Sequence, residues 1–362
     1  MTLRVAISHR FARFALDVSF EAPAGITALF GRSGAGKSTV INAVAGLLRP
    51  DAGRIILSKD TLFDADAGTF LPPRKRRLGY VFQDGRLFPH LTVRQNLNYG
   101  RRFAPASADA PQFGSVVDLL GIAPLLDRRP GALSGGEKQR VAIGRTLLCN
   151  PRMLLMDEPL AALDAARKAE ILPYLERLRD QTAIPILYVS HAMAEIARLS
   201  TTVVVLDEGR VARSGPAEQV LSDPDMVRQL GVREAGAVLP ACVAQHHSDG
   251  LTELDFSGGR LFLPRMQAVE GAPIRVRILA QDVILSRTRP TGLSALNILP
   301  VTILSIRDGS GPGRIVQLQC GTDRLLARIT RRSADALQLR VGDAAFAVIK
   351  TVSIARLDIG TG

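Results

Sequence analysis

The most explicit chemistry in the chain is carried by Gly31-x4-Gly36-Lys37-Ser38, inside "GRSGAGKST". Gly31, Ser33, Gly34, Ala35 and Gly36 carry small side chains or none, so backbone N–H groups can turn inward around the oxygens of an anion. Lys37 brings a cation within reach of β- and γ-phosphates, and the Ser38 hydroxyl, followed by Thr39, is placed to ligate Mg²⁺. Spacing and residue types together point to nucleotide phosphate binding. Such a loop needs a strand before it and a helix after it. Ile26–Phe30 is an apolar run of strand length, and Val40, Ile41, Val44, Leu47 and Leu48 recur at helical spacing until Pro50.

Two carboxylates follow another apolar run in "RMLLMDEP" (152–159). A continuous apolar run of this length reads as a parallel strand buried on both faces. Ligands of open α/β sheets lie beyond the carboxyl ends of such strands. Asp157 is therefore expected in the shell of the magnesium ion, and Glu158 as the group that polarises the attacking water. The run "PILYVSH" (185–191) ends in His191, which at a strand end would face the γ-phosphate edge. Gln83 follows "LGYVF" in the same manner. Its amide either senses nucleotide through water or metal or is a surface glutamine, and both readings stand.

In "LSGGEKQR" (133–140), Ser134 and Glu137 have the spacing of a capping box opening a helix. Gly135 and Gly136 in its first turn each cost roughly 1 kcal/mol of helix propensity relative to alanine. A helix N-terminus with bare N–H groups and a hydroxyl is an anion site. A second such site in a chain that already has a phosphate loop fits either a second anion or the γ-phosphate held by another copy, in a two-fold, head-to-tail dimer.

Taken in order, "GRSGAGKST", Gln83, "LSGGEKQR", "LLMDEP", "AALD" and His191 resemble the ATP-binding-cassette ATPases, over roughly residues 1–235. The resemblance implies an α/β P-loop core with a helical subdomain, a signature loop (Ser134, Gly135, Gly136, Glu137) acting in trans, and Glu158 as general base. It also implies that Phe11 stacks on adenine and that "DGRLFPHLTVRQNL" lies near a surface meeting a membrane subunit. Two departures are Glu137, where glutamine is commoner, and Ala161, where the family usually has serine; Asp164 is retained.

Composition limits the partners. The chain has 362 residues, 46% of them hydrophobic, enough for two or three domains with real cores. No apolar run reaches the length of a membrane span, so a transporter reading requires separate permease chains. The net charge of +12 fits a solvated arginine surface, lipid head groups or nucleic acid. With 5% aromatic residues and no Trp there is little material for base stacking, and nucleic acid is not expected as a partner. The run "RKRR" (74–77) is weak support for any polyanion. Leu3, Val5 and Ile7 alternate as a strand does, so the arginines near the N-terminus belong to folded structure. Cys149, Cys242 and Cys320 are read as reduced core residues of a cytoplasmic protein.

Beyond about residue 235 short strands replace helical periodicity. An internal repeat relates 241–261 to 301–325 and 271–286 to 342–355, consistent with a small all-β module of the oligonucleotide-binding shape over 236–362. Residues 291–357 resemble the molybdate-binding module often fused to molybdate importer ATPases. On that resemblance Ser294, Asn297, Lys350 and Thr351 contact oxyanion, with Leu296 where arginine is usual. A purely structural barrel is the alternative. The implied function is the ATP-hydrolysing subunit of a bacterial importer, most closely one for molybdate or tungstate. It would work as a homodimer beneath integral-membrane permeases, peripheral to the cytoplasmic face of the inner membrane and fed by a periplasmic substrate-binding protein. The alternatives are a sulfate, iron or sugar importer, or a nucleic-acid-associated ATPase of the same family.

Overall fold

The computed structural model describes residues 1–102, 110–309 and 311–361. Ser310 and Gly362, both within the C-terminal segment expected to be β-rich, lie outside the described residues. The chain divides into two compact units, Met1–Ala192 with Leu199–Ser214, and Met193–Arg198 with Gly215–Gly362.

The first unit is built on one sheet. Its strands in chain order are β1 (Leu3–Arg10), β2 (Ala15–Ala22), β3 (Ile26–Phe30), β4 (Ala52–Leu57), β5 (Asp60–Asp64), β6 (Thr69–Phe70), β7 (Leu78–Val81), β8 (Met153–Asp157), β9 (Ile186–Val189), β10 (Thr202–Asp207) and β11 (Arg210–Pro216). Their spatial order is β6-β5-β4-β1-β2-β11-β10-β3-β9-β8-β7. Patterning separates the two halves. β2 alternates strictly, burying Leu16, Val18 and Phe20, and pairs antiparallel with β1. β3 and β9 are buried along their whole length, as strands of a parallel sheet covered on both faces are. The parallel order β3-β9-β8-β7 brings the residues after Phe30, Val189, Met156 and Val81 to one edge of the sheet. These are the phosphate loop, His191, the Asp157–Glu158 pair and Gln83.

Helices α1 (Lys37–Ala45), α2 (Pro73–Arg76), α3 (Val93–Arg101), α4 (Phe113–Leu120), α5 (Gly135–Leu147) and α6 (Ala165–Gln181) complete this unit. Helix α3 opens with a capping box between Thr92 and Gln95. Asp164 caps α6, its Oδ1 accepting from Arg167 N at 2.9 Å. The "RKRR" run is not a solvated charge patch throughout. Arg76, at the end of α2, is 1% exposed. It donates to the carbonyls of Ala43 and Val44 at the end of α1, at 2.7 and 2.8 Å, and to Leu71 O at 2.6 Å.

The second unit contains α7 (Met193–Leu199), α8 (Ala217–Leu221), α9 (Val227–Leu230), α10 (Arg331–Ala336) and ten strands. These are β12 (Gly236–His246), β13 (Leu251–Phe256), β14 (Gly259–Pro264), β15 (Pro273–Leu279), β16 (Val283–Ser286), β17 (Asn297–Asp308), β18 (Gly313–Cys320), β19 (Asp323–Thr330), β20 (Ala344–Ile349) and β21 (Ile359–Thr361). They form two five-stranded sheets, β14-β13-β12-β15-β21 and β16-β20-β17-β18-β19, around one apolar core. The internal repeat is visible in the register. Leu239 faces Val276 as Leu299 faces Ala347, and the bulges at Val243/Gln245 and Ile303/Ser305 coincide. Each repeat gives its last strand to the other's sheet, β16 pairing with β20 and β21 with β15.

Residues 215–235, expected in the first domain, pack with the second unit. Glu218 Oε1 accepts from Arg275 at 2.8 Å, Ser222 O accepts from Gln317 at 2.8 Å, and Glu234 pairs with Arg277 at 2.8 Å. Cys320 is buried and Cys149 half-buried, whereas Cys242 is exposed, against the expectation that all three are core residues. Its place on β12 puts its side chain on the face opposite buried Ala241 and Val243.

Candidate active site

A cavity of about 600 Å³ lies at the carboxyl ends of β3, β8 and β9. It is lined by Ser33, Gly34, Gly36, Lys37, Ser38 and Thr39 on one side and by Glu158 and His191 on another, with Phe11 and Phe14 at its edge. Gly36 is the N-cap of α1 in left-handed geometry, with φ +101°, and offers no side-chain cap. The first N–H groups of α1 are therefore left for a ligand. Gly31 is buried, and a Cβ there would stand 2.4 Å from Leu206 O, so the strand-to-loop turn admits only glycine. Ala35 is also buried and frames the loop from behind.

Lys37 is folded onto its own loop. Its Nζ donates to Gly31 O at 2.7 Å and to Arg32 O at 3.0 Å. Burial lowers its pKa below the ordinary lysine value, while the charges of Glu158 and Asp157 oppose that shift. Phosphate oxygens arriving in the cavity would exchange two neutral carbonyl partners for charged ones, which make stronger bonds.

The Glu158 backbone is held at φ +47°, a region where side chains are disfavoured. Its N–H donates to Val189 O at 2.9 Å, tying the end of β8 to β9. The same neighbour relation sets His191 Nδ1 3.3 Å from Glu158 Oε2. Asp157 ends β8, and its Oδ2 accepts from the Tyr80 hydroxyl at 3.2 Å. Tyr80 also reaches Asn42 Oδ1 at 3.3 Å. Burial raises the Asp157 pKa. The Tyr80 bond lowers it, Glu158 raises it further, and Lys37 lowers it. Burial, with Asp157 beside it, also raises the tyrosine.

Tyr80, Asn42 and Phe14 are absent from the sequence reading. Tyr80 sits in a strand pattern that only the parallel register to β8 turns toward Asp157. Phe14 belongs to an alternation that reads as core, and its neighbour Phe11 is exposed, with ring centroids 6.2 Å apart. Gln83 is exposed and is not among the residues lining the cavity. Its loop is fastened to α5 instead. Gln139 donates to Phe82 O at 3.4 Å, and Arg145 to Gly85 O and Arg86 O at 3.2 and 3.0 Å.

The signature loop forms the expected capping box. Ser134 Oγ accepts from Glu137 N at 3.2 Å, and Glu137 Oε2 accepts from Ser134 N at 2.7 Å. That backbone bond is the main reason the Glu137 carboxyl stays below its ordinary range. The Ser134 side chain, also hydrogen-bonded to the Glu137 carboxylate, lowers it further. None of Ser134, Gly135, Gly136 or Glu137 lines the cavity formed by the same chain.

In the second unit, Asn297 is 1% exposed and its amide is engaged. Oδ1 accepts from Phe262 N at 2.7 Å, and Nδ2 donates to Phe262 O at 3.0 Å and to Thr351 Oγ1 at 3.4 Å. Both amide N–H groups are thus occupied, and Asn297 in this conformation ties the two sheets together and offers no donor to an oxyanion. Ser294 and Lys350 are exposed, and Thr351 is buried with its own hydroxyl proton unassigned. The equivalent positions of the first repeat hold Glu234, Ala237, Leu279 and Ala280.

Residues 16–161 match the ABC transporter family and residues 293–355 the TOBE domain. The molybdenum import ATP-binding protein ModC of Mesorhizobium japonicum is 54% identical over 100% of this chain and 98% of its own length. That of Paramagnetospirillum magneticum is 48% identical over 99% of both. Among solved structures, a nucleotide-free ATP-binding cassette from an ABC transporter has a TM-score of 0.53 at 27% identity, covering 63% of this chain and 98% of that one. The cbiO1 protein of Clostridium perfringens has a TM-score of 0.54 at 27% identity, over 64% and 94%. With a phosphate loop, two carboxylates and a histidine gathered at one sheet edge, and full-length relatives of this kind, the chain belongs to the molybdenum import ATP-binding proteins of the ABC transporter family.

Proposed function

We propose that this protein hydrolyses ATP to drive the import of molybdate, as the energy-coupling subunit beneath separate permease chains. The observation that carries the reading is the cavity in which the loop of Lys37 faces Glu158 and His191. Phosphates would lie on the open N–H groups of α1 with Lys37 redirected onto them, and adenine against Phe11 and Phe14. Ser38 and Asp157 are hard oxygen donors of the kind Mg²⁺ takes, and Gln83 would join them if its loop turns inward. An Mg²⁺ ion held by these oxygens would supply positive charge against that developing on the phosphates. Glu158 accepts a hydrogen bond from the attacking water and orients it in line. His191 holds the carboxylate through Nδ1 and leaves Nε2 for the γ-phosphate.

None of the signature-loop residues lines the cavity of its own chain. The signature loop of a second copy would supply the Ser134 hydroxyl and the N–H groups of Gly135 and Gly136, making a homodimer the working unit. Among the described residues no helix is long and apolar enough to cross a membrane. The proposed place is therefore peripheral, on the cytoplasmic face, with permeases as partners and a periplasmic substrate-binding protein delivering cargo to them.

The second unit is proposed to hold one molybdate per chain, at Lys350 and Ser294 with the Thr351 hydroxyl, since the equivalent positions of the first repeat offer an anion, Glu234, and the apolar Ala237, Leu279 and Ala280. Asn297 would serve as the frame. The test is molybdate uptake in cells where this chain is the sole ATPase subunit of its transporter. Uptake should vanish with Lys37→Ala while sulfate uptake is unchanged; uptake of sulfate in place of molybdate would refute the cargo. Calorimetric titration of the full chain should give a stoichiometry near one for molybdate and no heat for sulfate.

A further inference from the structure

A separate cavity of about 480 Å³ lies entirely within the second unit. Its walls come from the segment between Pro224 and Arg233, from residues 307–309 and 311–313 at the facing ends of β17 and β18, and from Arg328 on β19. The floor is apolar. Val227 and Ile315 belong to a small buried cluster with Ala235, Ala280 and Leu326.

The rim is cationic. Arg228, Arg233, Arg307 and Arg328 line it, against the carboxylates of Asp225 and Asp308. Both carboxylates already have cations of their own. Arg307 Nε lies 3.2 Å from Asp225, and Arg314 Nε lies 2.7 Å from Asp308. Among the described residues, the side chains of Arg233 and Arg328 make no hydrogen bond or ion pair, Arg328 pairing only through its backbone with Ile315. Arg328 is also half-buried on β19. A guanidinium given no acceptor by the protein is left to pair with a bound anion through charge-assisted hydrogen bonds. Gly313 leaves it accessible, since even a Cβ there would come only to 3.6 Å from Arg328 Nε.

We infer that this cavity binds a small organic phosphate, its dianionic head on Arg233 and Arg328 and its apolar body on Val227 and Ile315. A bare oxyanion would fill only a fraction of the space, which lies in the range of about 300–1,000 Å³ common to small-molecule sites. Two guanidinium forks suit the three oxygens of a phosphate monoester, whereas one fork satisfies a carboxylate. The site shares no residue with the ATP cavity or with the oxyanion positions. A ligand here would fasten the segment leading into β12 onto β19, stabilising the second unit by mass action.

Phenyl phosphate is the probe, titrated calorimetrically into the full-length chain. The wild type should bind it with a Kd of about 1 mM or tighter. Arg328→Gln and Arg233→Gln should each weaken binding about tenfold or more, because each removes a charge-assisted contact. Lys37→Ala should leave the affinity unchanged. Arg233 is exposed, so its variant remains informative if Arg328→Gln does not fold. Absence of binding to folded wild type, indifference to both arginine substitutions, or loss in Lys37→Ala would each overturn the site. Equal affinity for inorganic phosphate would overturn the organic class of ligand.

Discussion

His191 Nδ1 lies 3.3 Å from Glu158 Oε2, across the ends of neighbouring parallel strands. The pair is fixed from both sides, by the Glu158 N–H on Val189 O and by the register of Asp157 with Val189. A carboxylate placed by backbone bonds on a strained φ is already oriented before substrate arrives.

Glu158→Gln keeps the shape and removes the base. ATP turnover should fall by roughly 100- to 10,000-fold while ATP binding persists, so that an ATP-bound dimer accumulates. Size-exclusion chromatography with and without MgATP reads the dimer. His191→Ala should lower kcat with little change in the KM for ATP, because it loosens the carboxylate and leaves the phosphate loop intact. Normal turnover in both variants would remove the pair from the site.

Gly36 and Gly135 should respond differently to alanine. At Gly36 a Cβ meets left-handed backbone and stands 2.7 Å from Leu16 Cδ1 and 3.0 Å from Phe14 Cζ. The left-handed conformation alone costs roughly 1–2 kcal/mol, so Gly36→Ala should lower Tm as well as activity. At Gly135 the Cβ meets the tip of Leu163 at 2.8 Å, a flexible end that can move, and Arg167 Nη1 at an ordinary 3.8 Å. Helix propensity there favours alanine by about 1 kcal/mol. Gly135→Ala should keep Tm and lose ATPase activity, if a second copy's phosphate must approach that backbone. Unchanged ATPase activity would argue that the glycine serves packing alone.

Asp157 gives the nucleotide-free protein a pH dependence of known sign. Its native pKa is raised, chiefly by burial. Between the ordinary aspartate range, about 4, and that raised value, the native state holds more protons than the unfolded state. Stability from this group is thus greatest at low pH and is lost as pH rises through the native pKa. Asp157→Asn carries no such charge. The Tm of the variant minus that of the wild type should grow as pH is raised from about 4 toward neutrality, and then level off. A pH-independent difference, followed by scanning calorimetry, would contradict the burial argument.

Arg76 is a buried cation whose partners are all carbonyls. Burial brings its pKa down to about 10. It closes the C-terminal end of α1, the helix that follows the glycine-rich loop, where a cation also meets the negative end of the helix dipole. Arg76→Leu should cost about 3 kcal/mol or more, since it strands the Ala43, Val44 and Leu71 carbonyls. Chemical denaturation measures it, and a loss below about 0.5 kcal/mol would show that water replaces the guanidinium.

The phosphate loop, the Asp157–Glu158 pair, His191 and the capping box of the signature helix were legible because each is a contiguous word whose chemistry is local. The β3 and β9 runs announced parallel strands by being apolar throughout, and the 241–261 and 301–325 repeat announced a small all-β module of two related units, though not its division into two five-stranded sheets. What the sequence by itself determined was therefore the inventory of chemical groups and the elements that carry them. Only the tertiary structure decided which groups meet. The β7–β8 register turns Tyr80 onto Asp157, and the path of α2 buries Arg76 out of a run that reads only as weak support for a polyanion. The pairing of β17 with β20 and the nearness of Phe262 bind the amide that Asn297 was expected to offer to an oxyanion. The exchange of β16 and β21 between sheets and the packing of 215–235 on the second unit are of the same kind. Each depends on contacts between residues distant in the chain, where packing and hydrogen-bond satisfaction choose among pairings that local patterns leave equivalent.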